Sequence, residues 1–129
     1  MSSLRSPLGR VLGSGSAKDG TDHWWSQRVS AVALVLLGVW FLISLTQLPG
    51  FAYDDVHDWI ARPWNAILLL LLLLTLAFHS NLGVQVVVED YVQQPFSRVA
   101  LLVVSKFVHI VLAAAAVFAV FRTAFGFAA

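Results

Sequence analysis

Cysteine is absent from this chain of 129 residues, and charged side chains are scarce. Without a thiol the chain cannot form a disulfide, bind an iron–sulfur cluster through thiolates or build a thiolate zinc site. Only 12% of the residues are charged and the net charge is +1, which argues against nucleic acid as a partner. The first 20 residues contain no apolar stretch, so a signal peptide is not expected.

Hydrophobic residues, by contrast, make up 59% of the chain and are concentrated in three long runs. The runs cover about residues 29–48, 64–88 and 99–121, and each reaches the roughly 20 residues that a membrane-spanning helix needs. Trp24 and Trp25 precede the first run, in the position that is typical of an aromatic belt. The sequence therefore predicts an all-α fold, a three-span transmembrane helical bundle.

The polar segments predict how the chain is divided. Residues 1–22 are rich in Gly and Ser with scattered charges, which predicts an N-terminal arm ahead of a membrane domain at 23–129. Pro49-Gly50 is expected to end the first span, and a short interfacial helix is expected to begin at Asp58. A chain of this size has no room for a flavin or iron–sulfur module beside three spans, so such cofactors would belong to partners.

The basic residues predict the orientation in the membrane. Four of them lie in or just after the arm, at Arg5, Arg10, Lys18 and Arg28, whereas the loop between the first two spans carries Arg62 alone. Lys and Arg near the ends of spans are retained on the cytoplasmic side. The N-terminus and the connection after Tyr91 are therefore predicted to be cytoplasmic, with the 51–63 loop and the C-terminus outside.

The second span carries a histidine in its apolar interior and ends in an acidic and aromatic pair. His79, Gly83, Asp90 and Tyr91 form the pattern His-x3-Gly-x6-Asp-Tyr. Eleven helical steps return to within about 20° of the start and rise about 16 Å, so His79 and Asp90 share one face at different depths. Because an ionisable residue inside a membrane is costly, this face is a candidate functional site.

His79 admits two interpretations. It could hydrogen-bond to a neighbouring helix and so hold two spans together. Alternatively, its neutral imidazole could be an axial ligand of haem iron, with Gly83 one turn away leaving space for a flat macrocycle. Gly83 is also compatible with helix packing alone, because glycine is common in membrane helices.

Asp90, Tyr91 and Arg28 also admit two interpretations each. Asp90 and Tyr91 could simply end the span at the headgroups, or they could form a quinone site in which the Tyr hydroxyl donates to a quinone carbonyl and the carboxylate relays a proton. Arg28 could be a cytoplasmic anchor, or its guanidinium could pair with a haem propionate or support a quinone pocket.

Two further histidines have no role that the pattern settles. His109 lies in the third span at a depth similar to that of His79, so the two could ligate one haem within this chain, or His109 could be a packed polar contact. His23 precedes the first span and has no chemistry assigned to it.

These motifs resemble a known family, the small hydrophobic D-type membrane-anchor subunit of succinate dehydrogenase, respiratory complex II. The second span carries the resemblance in His79-Ser80-Asn81-Leu82-Gly83 and Glu89-Asp90-Tyr91, which match the family's His-x3-Gly-x6-Asp-Tyr pattern. Upstream, Gly20, His23 and Arg28-Val29-Ser30-Ala31 resemble the family's entry to the first span. Chain length, number of spans and predicted orientation also agree.

The resemblance implies a set of cofactors and partners. His79 would be one axial ligand of haem b, and a sister cytochrome b anchor subunit would supply the other, with Gly83 and Arg28 in the haem pocket. Tyr91 and Asp90, with Arg28, would bind ubiquinone. A flavoprotein subunit and an iron–sulfur subunit would carry FAD and the iron–sulfur clusters, so this chain would have no succinate-oxidising or other catalytic residue of its own.

The resemblance also implies a multi-pass protein of the bacterial inner membrane. Two alternatives remain open at this point. The chain could anchor a fumarate reductase that runs the reverse reaction, or it could be a small membrane protein without a redox role.

Overall fold

Four helices make up the fold of the computed structural model, which describes Leu8, Val11 and residues 20–126. We number them α1 (Gly20–Thr46), α2 (Tyr53–Ala61), α3 (Pro63–Tyr91) and α4 (Pro95–Phe125), and the described residues contain no strand. The three long helices have 27, 29 and 31 residues. At 1.5 Å per residue they extend about 40–46 Å, more than the hydrocarbon thickness of about 30 Å. All three are long and apolar enough to cross a membrane, which confirms the predicted fold class.

Proline determines where the long helices begin and end. Pro63 and Pro95 occupy the first turns of α3 and α4, where a backbone N–H has no helical partner to lose. Pro49 disfavours helical backbone at Leu48, so α1 ends at Thr46 in a tighter turn instead of continuing to residue 48 as predicted. At the other end of the chain Gly126 adopts a left-handed conformation (φ 64°) that terminates α4.

Two sequence-based boundaries differ from the structure. α1 begins at Gly20, so residues 20–22 are helical although they were predicted to be in the arm, and most of the remaining predicted arm lies outside the described residues. The short helix begins at Tyr53 and not at Asp58, because Asp54 and Asp55 in its first turn favour the positive end of the helix dipole. The division of the chain at residue 22 stays a prediction.

α3 lies in the middle of the arrangement. It packs against α1 and against α4, whereas α1 and α4 do not contact each other within the part of the chain that the structure describes. The short α2 packs on α3 and α4, and its Trp59 stacks on Trp40 of α1 with ring centroids 5.9 Å apart. We call the two ends of the bundle the Tyr91 end and the Trp59 end.

Little of the described chain is buried within it. The buried apolar residues are Trp59, Ala66, Val88 and Val120, and Ser30 is the one buried polar residue among those described. Large apolar side chains such as Leu36, Phe107 and Phe118 are more than half exposed on the surface. Because water would not tolerate so large an apolar surface, lipid or other membrane chains must cover it.

Candidate functional site

His79 contacts α1 through both nitrogens of its imidazole ring. Its Nδ1 lies 2.9 Å from Ser30 Oγ, and its Nε2 lies 3.3 Å from Gln27 Nε2. These are the hydrogen bonds to a neighbouring helix that the sequence left open as one interpretation. The His79 ring of α3 therefore lies at the α1–α3 interface, where it contacts two side chains of α1.

Ser30 is the best-buried member of this group. Its side chain is 5% exposed, and its hydroxyl also lies 2.6 Å from the Ser26 carbonyl and 3.1 Å from the Gln27 carbonyl of its own helix. A serine hydroxyl has one proton to donate and two lone pairs to accept with. Ser30 can therefore donate back to the turn before it and still accept from His79.

Polar atoms without partners lie on the same face of α1. His23 Nε2 and Gln27 Oε1 are buried and have no hydrogen-bond partner in the described part of the chain. His23, Gln27 and Ser30 are spaced by four and three residues, so they form one polar stripe on an otherwise apolar helix. Buried polar atoms are nearly always paired, so this stripe has unused capacity for a ligand or a partner chain.

Gly83 lies beside Gln27 on the face of α3 that carries His79. A Cβ atom at Gly83 would meet Gln27 Nε2 at 3.8 Å, which is an ordinary van der Waals distance. The packing of α1 on α3 therefore does not itself require glycine at this position.

Arg28 lies apart from His79. Its side chain is exposed, and its guanidinium carbon lies 5.5 Å from the centre of the Trp24 ring, in cation–π geometry. Successive residues of an α-helix differ in direction by about 100°, so Arg28 does not lie on the face of α1 through which Gln27 contacts α3. Among the described residues no carboxylate forms an ion pair with it.

Asp90 and Tyr91 lie at the last turn of α3, at the Tyr91 end. Both are exposed, Tyr91 to 81%, and neither has a side-chain hydrogen bond to any described residue. Glu89 beside them accepts from Gln85 one turn earlier at 2.8 Å. The two side chains are thus free at the membrane edge, and the structure does not bring them into contact with His79 or Arg28.

His109 makes its hydrogen-bond contacts within its own helix. Its Nδ1 lies 2.8 Å from the Ser105 carbonyl of its own helix, α4, and 3.4 Å from Ser105 Oγ. Because α4 does not contact α1, the α1–α3 interface that holds His79 does not include His109. Residues 20–126 also contain no group of three acidic or histidine side chains that could hold a metal ion. The described chain therefore presents His79 as a single imidazole.

Gln27 is the site residue that sequence reasoning missed. The signal was present, because a glutamine between a histidine four residues before and a serine three residues after forms a polar stripe at helical spacing. Ser30 was noted only as part of the entry to the first span, and its contact with His79 was not foreseen.

Comparison with known proteins agrees with the arrangement of spans and motifs. The family model described as "Succinate dehydrogenase/Fumarate reductase transmembrane subunit" matches residues 2–121. A succinate dehydrogenase hydrophobic membrane anchor subunit from Rickettsia bellii is 34% identical over 118 residues, which cover 92% of this chain and 94% of the relative. The protein of the same name from Paracoccus denitrificans is 32% identical over 120 residues, covering 93% of this chain and 92% of the relative.

Proposed function

The chain belongs to the family of succinate dehydrogenase and fumarate reductase transmembrane subunits, and we propose that it is the membrane anchor of a succinate:quinone oxidoreductase. In this proposal the chain and a sister cytochrome b anchor subunit hold haem b and ubiquinone in the membrane. They also dock the flavoprotein and iron–sulfur subunits. The observation that carries the proposal is the family match over residues 2–121 combined with His79 in the apolar centre of α3.

The direction of the reaction is proposed from the relatives. The family includes anchors of fumarate reductase, but the relatives from Rickettsia and Paracoccus are named for succinate dehydrogenase. We therefore assign this chain to an enzyme that oxidises succinate and reduces ubiquinone. The succinate site would lie in the soluble subunits.

The surroundings of His79 fit a haem. His79 faces a polar stripe of α1 on an otherwise apolar helix, Gly83 on the same face of α3 adds no side chain, and Gln27 Oε1 and His23 Nε2 are buried without partners among the described residues. A shallow groove of about 570 Å³ between α1 and α3 shares Ser30 with these surroundings, but His79 and Gly83 do not line it. The haem would supply one-electron transfer, and His79 would hold it through a ring nitrogen while the sister subunit supplies the second ligand.

Tyr91, Asp90 and Arg28 are the proposed quinone residues of this chain. The Tyr91 hydroxyl is exposed and unpaired, so it can donate a hydrogen bond to a quinone carbonyl. Asp90 would order that hydroxyl or pass a proton, and the cation of Arg28 would favour the added negative charge as the quinone is reduced. In this proposal partner subunits complete the pocket, because these residues do not form a closed cavity by themselves.

The proposal is tested by purifying the complex through an affinity tag on this chain after mild detergent extraction. We expect covalently or tightly bound flavin, iron–sulfur clusters, a b-type haem spectrum and a second small hydrophobic subunit, together with succinate:ubiquinone activity. A chain that purifies without flavin, clusters or haem would instead be a membrane protein without a redox role. Activity only in the direction of fumarate reduction would assign it to the second enzyme of the family.

A further inference from the structure

We propose that Ser30 is a positioning residue that fixes the tautomer and the ring orientation of His79, so that Nε2 is the nitrogen that binds iron. This inference rests on the proposed haem site. It adds a role for a side chain of α1 in preparing a ligand that belongs to α3.

The Ser30 hydroxyl has a single proton to donate. Two acceptors of its own helix compete for that proton, the Ser26 carbonyl at 2.6 Å and the Gln27 carbonyl at 3.1 Å. The shorter contact is within the usual range for a hydroxyl donor. With its proton committed there, Ser30 Oγ can only accept from His79 Nδ1 at 2.9 Å, so Nδ1 must carry the ring proton.

Gln27, with its amide oriented as in this structure, is compatible with the same tautomer. Its amide nitrogen, which is only a donor, lies 3.3 Å from His79 Nε2. A donor can face a ring nitrogen only where that nitrogen has a free lone pair. The Ser30 contact therefore favours the tautomer with the proton on Nδ1 and the lone pair on Nε2, and the Gln27 contact is compatible with it.

The lone pair on Nε2 is what an iron ligand needs. A metal-binding histidine typically donates its other N–H to an oxygen acceptor, which fixes the ring and makes the ligating nitrogen more basic. Ser30 Oγ is such an acceptor before any iron is bound. In this structure the Gln27 amide lies next to His79 Nε2. It would have to move aside for the Nε2 lone pair to bind iron.

Burial makes the Ser30 contact hard to replace. Ser30 is 5% exposed and lies inside a transmembrane interface, where no bulk water is available to accept from Nδ1–H. Removal of the hydroxyl would therefore leave the ring proton without a partner and the ring free to rotate. Loss of an outer partner of this kind typically weakens metal binding about 10–100-fold.

His109 provides a matched control. It has a serine one turn earlier on its own helix, and its Nδ1 lies closer to the Ser105 carbonyl, at 2.8 Å, than to the Ser105 hydroxyl, at 3.4 Å. The backbone carbonyl remains when the hydroxyl is deleted. Ser105→Ala therefore removes a serine hydroxyl next to a histidine within a single helix, without changing the surroundings of the proposed ligand.

The experiment compares the intact complex carrying Ser30→Ala, Ser30→Cys, Ser30→Thr or Ser105→Ala with the unmodified complex. The readouts are the low-spin ferric EPR signal, the midpoint potential of the haem and the rate of haem transfer to a scavenging apoprotein. In Ser30→Ala we expect the EPR signal to shift and broaden and haem affinity to fall about 10–100-fold. The potential should rise, since a less basic imidazole stabilises ferric iron less.

The graded variants decide the outcome even where Ser30→Ala does not assemble. Ser30→Thr keeps a hydroxyl and should match the unmodified complex. Ser30→Cys offers a weaker acceptor, so its haem affinity and EPR signal should be intermediate. Ser105→Ala should leave the haem unchanged. The role of the hydroxyl would be overturned if the b haem were unaltered in Ser30→Ala or Ser30→Cys. It would also be overturned if Ser30→Thr were as defective as Ser30→Cys. Absence of haem b from the unmodified complex would instead contradict the proposed function itself.

Discussion

His79 meets polar side chains of α1 across the α1–α3 interface. His79 is paired with Ser30 and Gln27, and hydrogen bonds of this kind between membrane helices contribute only about 0.6 kcal/mol on average. Iron can therefore displace the weaker Gln27 contact at small cost. The two sequence-based interpretations of His79, a contact between helices and a haem ligand, are compatible because they use different ring nitrogens.

Single residues show how far the sequence could predict the site. His79, Gly83, Asp90 and Tyr91 could be singled out because all of them are polar or small residues at fixed spacing on one apolar span. The partner of His79 on α1 could not, since spacing along α3 contains no information about which face of another helix packs against it. Only the folded chain brings Ser30 to 2.9 Å from the ring.

Tyr91→Phe tests the quinone site at the level of one hydroxyl. Loss of a hydrogen bond in a desolvated pocket should cost about 1–3 kcal/mol. Succinate-to-ubiquinone turnover should then fall about tenfold or more, because 1.36 kcal/mol corresponds to a factor of ten. Haem content and succinate oxidation with an artificial acceptor that draws electrons from the soluble subunits should not change.

Tyr53→Phe is the matched control, because Tyr53 is the other tyrosine of the chain and is 79% exposed at the opposite end. It should leave both activities intact. Equal losses of both activities in Tyr91→Phe would indicate an assembly defect. No loss in either would make Tyr91 an interfacial anchor only.

The helices themselves were largely predictable, and their packing was not. Length and hydropathy predicted three spans, while Pro49-Gly50 predicted the end of the first span to within a few residues. α1 and α3, however, are apolar around almost their whole circumference. A helix without an apolar stripe gives no indication of which side packs inward, so the central place of α3 could not be read from the sequence.

Trp59→Ala tests how α2 is held at the Trp59 end. Trp59 is 8% exposed, stacks on Trp40 and meets the Phe41 ring edge-on at a centroid distance of 6.1 Å. Truncation of a buried aromatic residue costs about 3–5 kcal/mol in soluble cores. The melting temperature of the purified complex should fall by several degrees. The haem spectrum recorded well below that temperature should be unchanged.

Trp64→Ala serves as the comparison, since Trp64 lies just after α2 but is 73% exposed. It should shift the melting temperature much less. If the two variants were equally destabilised, the aromatic cluster would not be what secures α2.

The molecule as a whole has an apolar surface far larger than its core. That imbalance requires a bilayer and agrees with a subunit that also packs against other membrane chains. The sequence predicted this from composition alone, because charge is scarce and the apolar runs are long. It also predicted an orientation from basic residues, which the fold by itself does not test.

Single cysteines test that orientation, and the absence of native cysteine makes them unambiguous. Asp54→Cys lies in α2 at the Trp59 end, and Gln93→Cys lies in the connection between α3 and α4; both positions are exposed. With the N-terminus in the cytoplasm, a membrane-impermeant maleimide should label Asp54→Cys in intact spheroplasts and Gln93→Cys only after the membrane is opened. The reverse pattern would invert the topology.

The haem spectra of His79→Ala and His109→Ala, recorded on complexes purified in parallel, test the central claim most directly. We expect His79→Ala to abolish or severely perturb the low-spin b-type spectrum, since the iron would lose a ligand, while the flavin content shows that the soluble subunits are still attached. His109→Ala should leave the spectrum nearly intact, because His109 contacts its own helix and lies outside the α1–α3 interface. A complex in which His109 is essential and His79 is dispensable would contradict the account.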